Sequence, residues 1–234
     1  MINNVDVKNN EYDRVYNIFN ELANNFISYI KQNDLLDSKC IKAMLKKITR
    51  AKLMVTDGYY LVVKFNGTVL YQPLNKIKVV TKRIIAHDKI SPEICFINIR
   101  GLSEDDIREA LFSEIIKITS HEILSIKLDY SSCYVREGFY YAIIDSNNIL
   151  EWNKYINLGL REVIAKRLYE KIYNKKYHIF VDTKDAYLTL RMTDIVKDIT
   201  DQKLLDIYFN CKTKEFEEIT KLNLEELDIS LGNY

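Results

Sequence analysis

Apolar residues recur at three- and four-residue steps through the first part of the chain, which is the spacing of amphipathic helices. These steps predict one helix over residues 11–32 and a second over 35–48. From residue 51 the pattern changes to short runs of tyrosine, valine and isoleucine with Asn66-Gly67 as a hairpin turn. Strands are therefore predicted over residues 51–56, 59–65, 68–72, 76–85 and 93–99.

A second helical stretch begins after Ser103, whose side chain suits a helix N-cap and is followed by three acidic residues. An apolar stripe predicts that this helix continues to about Ile126, with His121 and Glu122 on or beside its buried face. A strand or hairpin with a turn at Gly138 is expected next. Further helices are predicted over residues 155–174, 183–198, 200–210 and 213–222. The sequence thus predicts an α+β fold with a mostly antiparallel sheet and a mostly helical C-terminal lobe.

Composition narrows the classes of function. The chain has 234 residues, of which 47% are hydrophobic, so it can bury a substantial core. The chain has 34 basic and 33 acidic residues, so its net charge does not attract a polyanion. This balance argues against a nucleic-acid partner. No apolar run has the length of a membrane span or a signal peptide, so no membrane partner and a cytoplasmic location are expected. The many tyrosine, asparagine, isoleucine and lysine residues are typical of an AT-rich bacterial or phage genome.

The segment from His121 to Ser125 carries the first chemical signal. His121-Glu122 is followed, three residues after the glutamate, by Ser125, where an HExxH zinc site has its second histidine. A hydroxyl is a poor Zn²⁺ ligand compared with imidazole, thiolate or carboxylate. The segment by itself therefore does not predict a catalytic metal.

A second segment, Asn157-Leu158-Gly159-Leu160-Arg161-Glu162, opens a later helix. With the first segment it resembles the zincin-like metallopeptidases of the gluzincin type, which carry Asn-Glu-Gly-x-Thr-Glu downstream of HExxH. Asn157, Gly159 and Glu162 match that signature, whereas Leu158 replaces the ligand glutamate and Arg161 replaces the threonine. The resemblance implies a zincin-like fold, with Glu162 orienting the first histidine.

The resemblance also implies that the metal ligands are lost. Only His121 of the three expected ligands remains, so neither a metal nor another cofactor is expected, and Glu122 has no metal-bound water to activate. Leu158 would fill the former metal cavity with hydrocarbon. An N-terminal α/β lobe over residues 1–126, including the HExxH-type helix, and a helical lobe over 127–234 are expected.

These observations favour a catalytically inactive zincin-like homologue that binds a protein or peptide. The segment 93–99 is the predicted edge strand for an extended peptide, and exposed tyrosines among Tyr59, Tyr60, Tyr71, Tyr130, Tyr134, Tyr140 and Tyr141 would add an interaction surface. One alternative is a hydrolase with a remodelled site that uses His121 and Glu122 as acid and base. Another is an unrelated accessory protein of a phage or mobile element.

Overall fold

The computed structural model describes residues 9–56, 60–65, 68–73, 80–82, 85–86, 89–90, 94–98, 102–126, 132–145, 149–178 and 183–233. Its helices are α1 (Asn9–Gln32), α2 (Ser38–Ile48), α3 (Glu104–Ser120), α4 (Lys154–Tyr173), α5 (Thr183–Ile195), α6 (Asp201–Phe209), α7 (Thr213–Thr220) and α8 (Leu224–Gly232). Its strands are β1 (Lys52–Thr56), β2 (Tyr60–Phe65), β3 (Thr68–Pro73), β4 (Val80–Lys82), β5 (Ile85–Ala86), β6 (Lys89–Ile90), β7 (Ile94–Asn98), β8 (His121–Ile126), β9 (Ser132–Glu137), β10 (Tyr140–Asp145) and β11 (Ile149–Trp152). The predicted α+β class is confirmed.

Within these ranges, the largest sheet has four antiparallel strands in the order β11-β10-β9-β8. A second sheet has the order β1-β7-β4, in which β7 pairs parallel with β1 and antiparallel with β4. Strand β7 is thus the central strand of this sheet, paired with β1 along its whole length and with β4 over its first three residues. The prediction that residues 93–99 form an edge strand is wrong.

The main core forms between helices from both halves of the chain. Phe112 of α3 is fully buried and makes edge-to-face contacts with Phe26 of α1 and Tyr169 of α4. Phe216 of α7 belongs to the same cluster of buried residues. The division into lobes at residue 126 stays a prediction.

Helix α3 begins as the sequence predicts. Ser103 and Asp106 form a capping box, in which each side chain accepts a hydrogen bond from the other residue's backbone N–H. Three acidic residues in the first turn add a favourable interaction with the helix dipole.

The end of α3 differs from the prediction that the helix continues to Ile126. Thr119 Oγ1 donates to the carbonyl of Ile115, and Ser120 Oγ donates to that of Lys117. The ammonium group of Lys47 caps the same end by donating to the Thr119 carbonyl at 2.9 Å. Since the last carbonyls are satisfied in this way, the chain turns extended at His121 and pairs with β9. The predicted HExxH-type helix is therefore not formed by residues 121–126.

Helix α4 begins without a side-chain cap from its own N-cap residue, Asn153. The carboxylate of Asp228 on α8 takes over this role, with Oδ1 accepting hydrogen bonds from the backbone N–H groups of Tyr155 and Ile156 at 2.8 and 3.0 Å. Helix α8, which the sequence analysis does not predict, thus fixes the start of the helix that carries Asn157 and Glu162. No helix in the described part of the chain combines the length and apolar character of a membrane span.

Candidate functional site

A group of buried polar side chains lies where α3, α4 and the turn between β9 and β10 meet. Polar groups in such a position must largely satisfy one another, because little of their surface is open to water. We call this group the Arg161 network, and its members are Ser113, Glu137, Asn157, Arg161, Glu162 and Tyr177.

Glu162 connects α4 to α3 within this network. Its Oε1 accepts a hydrogen bond from the Ser113 hydroxyl at 2.5 Å, and its Oε2 accepts one from the Tyr177 hydroxyl at 3.1 Å. Burial raises the pKa of Tyr177 well above its ordinary value, and the negative charge of Glu162 adds to this effect. Tyr177 therefore stays protonated and serves as a hydrogen-bond donor.

Arg161 bridges two carboxylates that come from different elements. Its Nε lies 3.3 Å from Glu162 Oε1, and one terminal nitrogen lies 3.4 Å from Glu137 Oε1 on β9. The three side chains are 13%, 7% and 9% exposed, so this is a buried charge cluster. Burial alone would lower the pKa of Arg161, but the charges of Glu162, Glu137 and Glu114 outweigh it and raise this pKa. The guanidinium group is thus a permanent internal cation.

Asn157 holds the turn between β9 and β10 against α4. Its Oδ1 accepts a hydrogen bond from the backbone N–H of Phe139 at 3.0 Å, and its Nδ2 donates to Glu137 Oε1 at 3.1 Å. Gly138 in this turn has φ +54°, and a Cβ there would lie 2.3 Å from the Tyr208 ring. Asn157, which belongs to the second candidate segment of the sequence, thus orders this hairpin through its side chain.

Gly159 permits a close approach of α4 to α5. A Cβ at this position would lie 2.4 Å from Cγ of Met192 and 2.9 Å from the backbone oxygen of Leu188. Leu158 is half-buried and packs against the main core. Both residues contribute packing between helices.

His121 and Glu122 lie on β8, where successive side chains point to opposite faces of the sheet. His121 is buried and stands opposite Glu137 in the register, whereas Glu122 pairs with Arg136 and lies 3.8 Å from Lys47. Ser125 stands opposite Tyr134 after an irregularity in the pairing. The hydrogen bonds of Glu162 go to Ser113, Tyr177 and Arg161, so the expected bond between His121 and Glu162 is not formed.

The donor chemistry of the Arg161 network does not fit a divalent metal. Its carboxylates face a guanidinium cation, and the neighbouring hydroxyls of Ser113 and Tyr177 are weak ligands. In the described residues, no group of three or more histidine, cysteine, aspartate or glutamate side chains is arranged to hold a metal ion.

Sequence reasoning misses Ser113, Glu137, Tyr177 and the bridging role of Arg161. For Ser113 the only signal is its place on the predicted helix. For Glu137 and Tyr177 no such signal exists, because tertiary packing alone brings them to α4.

The outer face of the four-stranded sheet is the second notable surface. Cross-strand pairing aligns Tyr134, Ile143 and Leu150 in one row and Arg136, Tyr141 and Trp152 in the next. Leu150 is 55% exposed and Trp152 is 45% exposed, and the Trp152 ring centroid lies 5.4 Å from that of Tyr141. Of the predicted tyrosine surface, Tyr134 and Tyr141 lie half-buried on this outer face, and Tyr59 and Tyr130 lie outside the described residues.

We compared the chain with models of protein families, with curated proteins and with solved structures, and none of the three comparisons gave a match.

Proposed function

We propose that this chain is a catalytically inactive zincin-like metallopeptidase homologue that works as a protein- or peptide-binding protein. The observation that carries this proposal is the hydrogen bond from Ser113 on α3 to Glu162 on α4, next to the buried cation of Arg161. A helix pair joined by such a bond is the arrangement that the resemblance implies, with hydroxyl and guanidinium groups in place of metal chemistry.

The contact of Glu162 shifts the proposed HExxH-like segment from residues 121–125 to 113–117. In the family that the chain resembles, the residue corresponding to Glu162 orients the first histidine of HExxH. The partner of Glu162 on α3 is Ser113, and we infer that Ser113 is the equivalent of that histidine. The spacing then assigns Glu114 to the glutamate and Lys117 to the second histidine.

With this assignment, the side chains at the three ligand positions explain why no zinc is expected to bind. Ser113, Lys117 and Leu158 would stand at the three ligand positions, and a hydroxyl, an ammonium group and a hydrocarbon do not form a zinc site. Lys117 pairs with Glu114 and Arg161 pairs with Glu162, so both carboxylates already face a positive charge. Glu114 lies 3.7 Å from the ammonium group of Lys117 and is paired with it.

The outer face of the sheet supports the binding part of the proposal. Leucine and tryptophan side chains that remain about half exposed beside tyrosines are typical of surfaces that contact proteins. The opposite face of the same strands is buried, with Cys133, Val135 and Ala142 at most 3% exposed. The core of this sheet therefore forms on the opposite face, and the exposed leucine and tryptophan of the outer face are not part of it.

The alternative of a remodelled hydrolase loses support from the geometry. His121 and Glu122 project to opposite faces of β8, so their side chains do not converge on one substrate. Glu122 is also paired with Arg136.

The reassignment predicts that zinc binding can be rebuilt. Combining Ser113→His, Lys117→His, Leu158→Glu and Arg161→Thr restores the ligand set and removes the competing cation. We expect this variant to bind one zinc per chain with an affinity of about micromolar or tighter, measured by calorimetry, and to show a zinc-dependent rise in melting temperature.

A matched control carries Ser125→His, Leu158→Glu and Arg161→Thr and keeps His121, which rebuilds the site in the segment 121–125. It should bind no stoichiometric zinc, because residues 121 and 125 lie on a strand. If the fourfold variant does not fold, the pair Ser113→His and Lys117→His alone should still gain zinc affinity over the native chain. Zinc uptake by the control and not by the other variants would overturn the assignment, and casein hydrolysis by the native chain would overturn the proposed function.

A further inference from the structure

Helix α2 carries a stripe of positive charge on the side that faces away from the core. Its buried side contains Ile41 and Met44. Lys39, Lys42 and Lys46 lie one turn apart on the opposite side, and Arg50 follows in the turn after the helix. All four side chains belong to exposed residues. We call these four residues the α2 stripe.

The charges of the α2 stripe are not neutralised within the described part of the protein. The ion pairs found there include Lys47, which pairs with Glu122, but none of the four residues of the stripe. The helix itself contains no acidic residue, and Asp37 at its N-cap is engaged with the backbone N–H of Cys40. Three uncompensated lysines along about 11 Å of helix, with Arg50 in the turn that follows, form a strong local positive patch on a chain with a net charge of only +1.

Three acidic groups lie near Cys40 of the same helix. The carboxylates of Asp37, Glu122 and Asp206 are close enough to act electrostatically on the Cys40 thiol. Helix α2 is therefore not surrounded by positive charge alone, which favours a short partner over a long polyanion. Helix α2 also has no aromatic side chain on which a base could stack. A short acidic segment avoids both problems.

We propose that the α2 stripe binds an acidic helical segment of a partner protein, whose glutamate or aspartate side chains lie one helical turn apart. Carboxylates on one face of a helix repeat at about 5–6 Å, which is also the spacing of the lysines of the stripe. Attraction between such faces raises the rate of association and selects the partner by charge. This proposal deepens the proposed binding function and rests on it.

The test uses the full chain and a synthetic alanine-based helical peptide of about 20 residues with glutamates one turn apart. The comparison probes are the same peptide with glutamines, single- and double-stranded DNA of about 20 nucleotides, and phosphatidylserine vesicles. Binding is measured by fluorescence anisotropy at low and high salt. We expect the glutamate peptide to bind most tightly and to lose affinity as salt screens the charges.

The double variant Lys42→Glu, Lys46→Glu should weaken peptide binding at least about tenfold, and Lys42→Ala, Lys46→Ala should give a smaller loss. The matched control Lys197→Glu, Lys214→Glu changes the net charge equally at exposed positions elsewhere and should bind within about twofold of the native chain. Equal binding of the glutamate and glutamine peptides, equal losses in both charge-reversed variants, or tighter binding of DNA or vesicles would overturn the proposal. Zinc uptake by the variants rebuilt on α3 and α4 does not depend on the α2 stripe. A failure of the peptide-binding test can therefore be distinguished from a failure of the zinc-binding test.

Discussion

Replacing Arg161 with methionine is expected to lower the free energy of unfolding by about 3–5 kcal/mol, the largest effect of any single charge in the described residues. Methionine keeps much of the side-chain volume but leaves Glu137 and Glu162 buried without their shared cation. Arg161→Lys should recover only part of the loss, because one ammonium group does not reproduce the two-sided contact of a guanidinium. Urea unfolding followed by circular dichroism measures these differences.

The matched control for this prediction is Arg136→Met. Arg136 pairs with Glu122, whose side chain is 41% exposed, so breaking that pair should cost about 1 kcal/mol or less. Adding Glu162→Gln to Arg161→Met should restore some stability, since it removes one of the stranded charges. A cost for Arg161→Met no larger than that for Arg136→Met would show that the network is not a buried charge cluster.

Replacing Gly138 with alanine is expected to cost about 2–5 kcal/mol, from two additive causes. A φ of +54° is unfavourable for any residue with a Cβ, at about 1–2 kcal/mol. The new methyl group would also lie 2.3 Å from the buried Tyr208 ring and 2.6 Å from Asn157 Oδ1, which forces repacking at about 1–3 kcal/mol. The measurement is again the free energy of unfolding.

The contributions of the positive φ and of the Tyr208 ring can be separated by making Gly138→Ala in a second variant of the chain. In a chain with Tyr208→Leu, the added cost of Gly138→Ala should fall, because the ring is gone and only the backbone contribution and the contact with Asn157 Oδ1 remain. The comparison variant Gly232→Ala has no positive φ, so its cost should lack the backbone contribution and come from the contact with the Tyr155 ring, 2.6 Å from the new Cβ, at about 1–3 kcal/mol. An unchanged stability for Gly138→Ala would contradict the packing of this turn against α4 and α6.

The amphipathic helices could be predicted well because their apolar spacing is a local property of the sequence. The predicted ranges 11–32 and 155–174 lie within two residues of α1 and α4 at each end. The end of α3 could not be predicted in the same way, because it depends on Lys47 from another helix and on pairing with β9. Tertiary contacts there override a helical pattern that continues to Ile126.

The same distinction applies to the candidate site. Asn157 and Glu162 could be selected from sequence, and both belong to the Arg161 network. A helix that continues through His121 predicts a contact of His121 with Glu162, whereas in the structure the partner of Glu162 on α3 is Ser113. Glu137 and Tyr177 join the network through contacts with residues far away in the sequence, so no local sequence pattern predicts their role.

The position of β7 could not be inferred either. Its apolar run is compatible with an edge strand or a central strand, and only the pairing with β1 and β4 decides between them. The binding surfaces that we propose are the exposed outer face of the four-stranded sheet and the α2 stripe.

The most direct test of a metal-free helix pair is a zinc titration of the native chain, with the bound metal counted by mass spectrometry after dialysis. We predict less than about one-tenth of a zinc ion per chain, because Ser113, Lys117, Leu158 and Arg161 leave no ligand set between α3 and α4. Tight uptake of one zinc per chain that is lost on replacement of Glu162 or Glu114 would contradict the account.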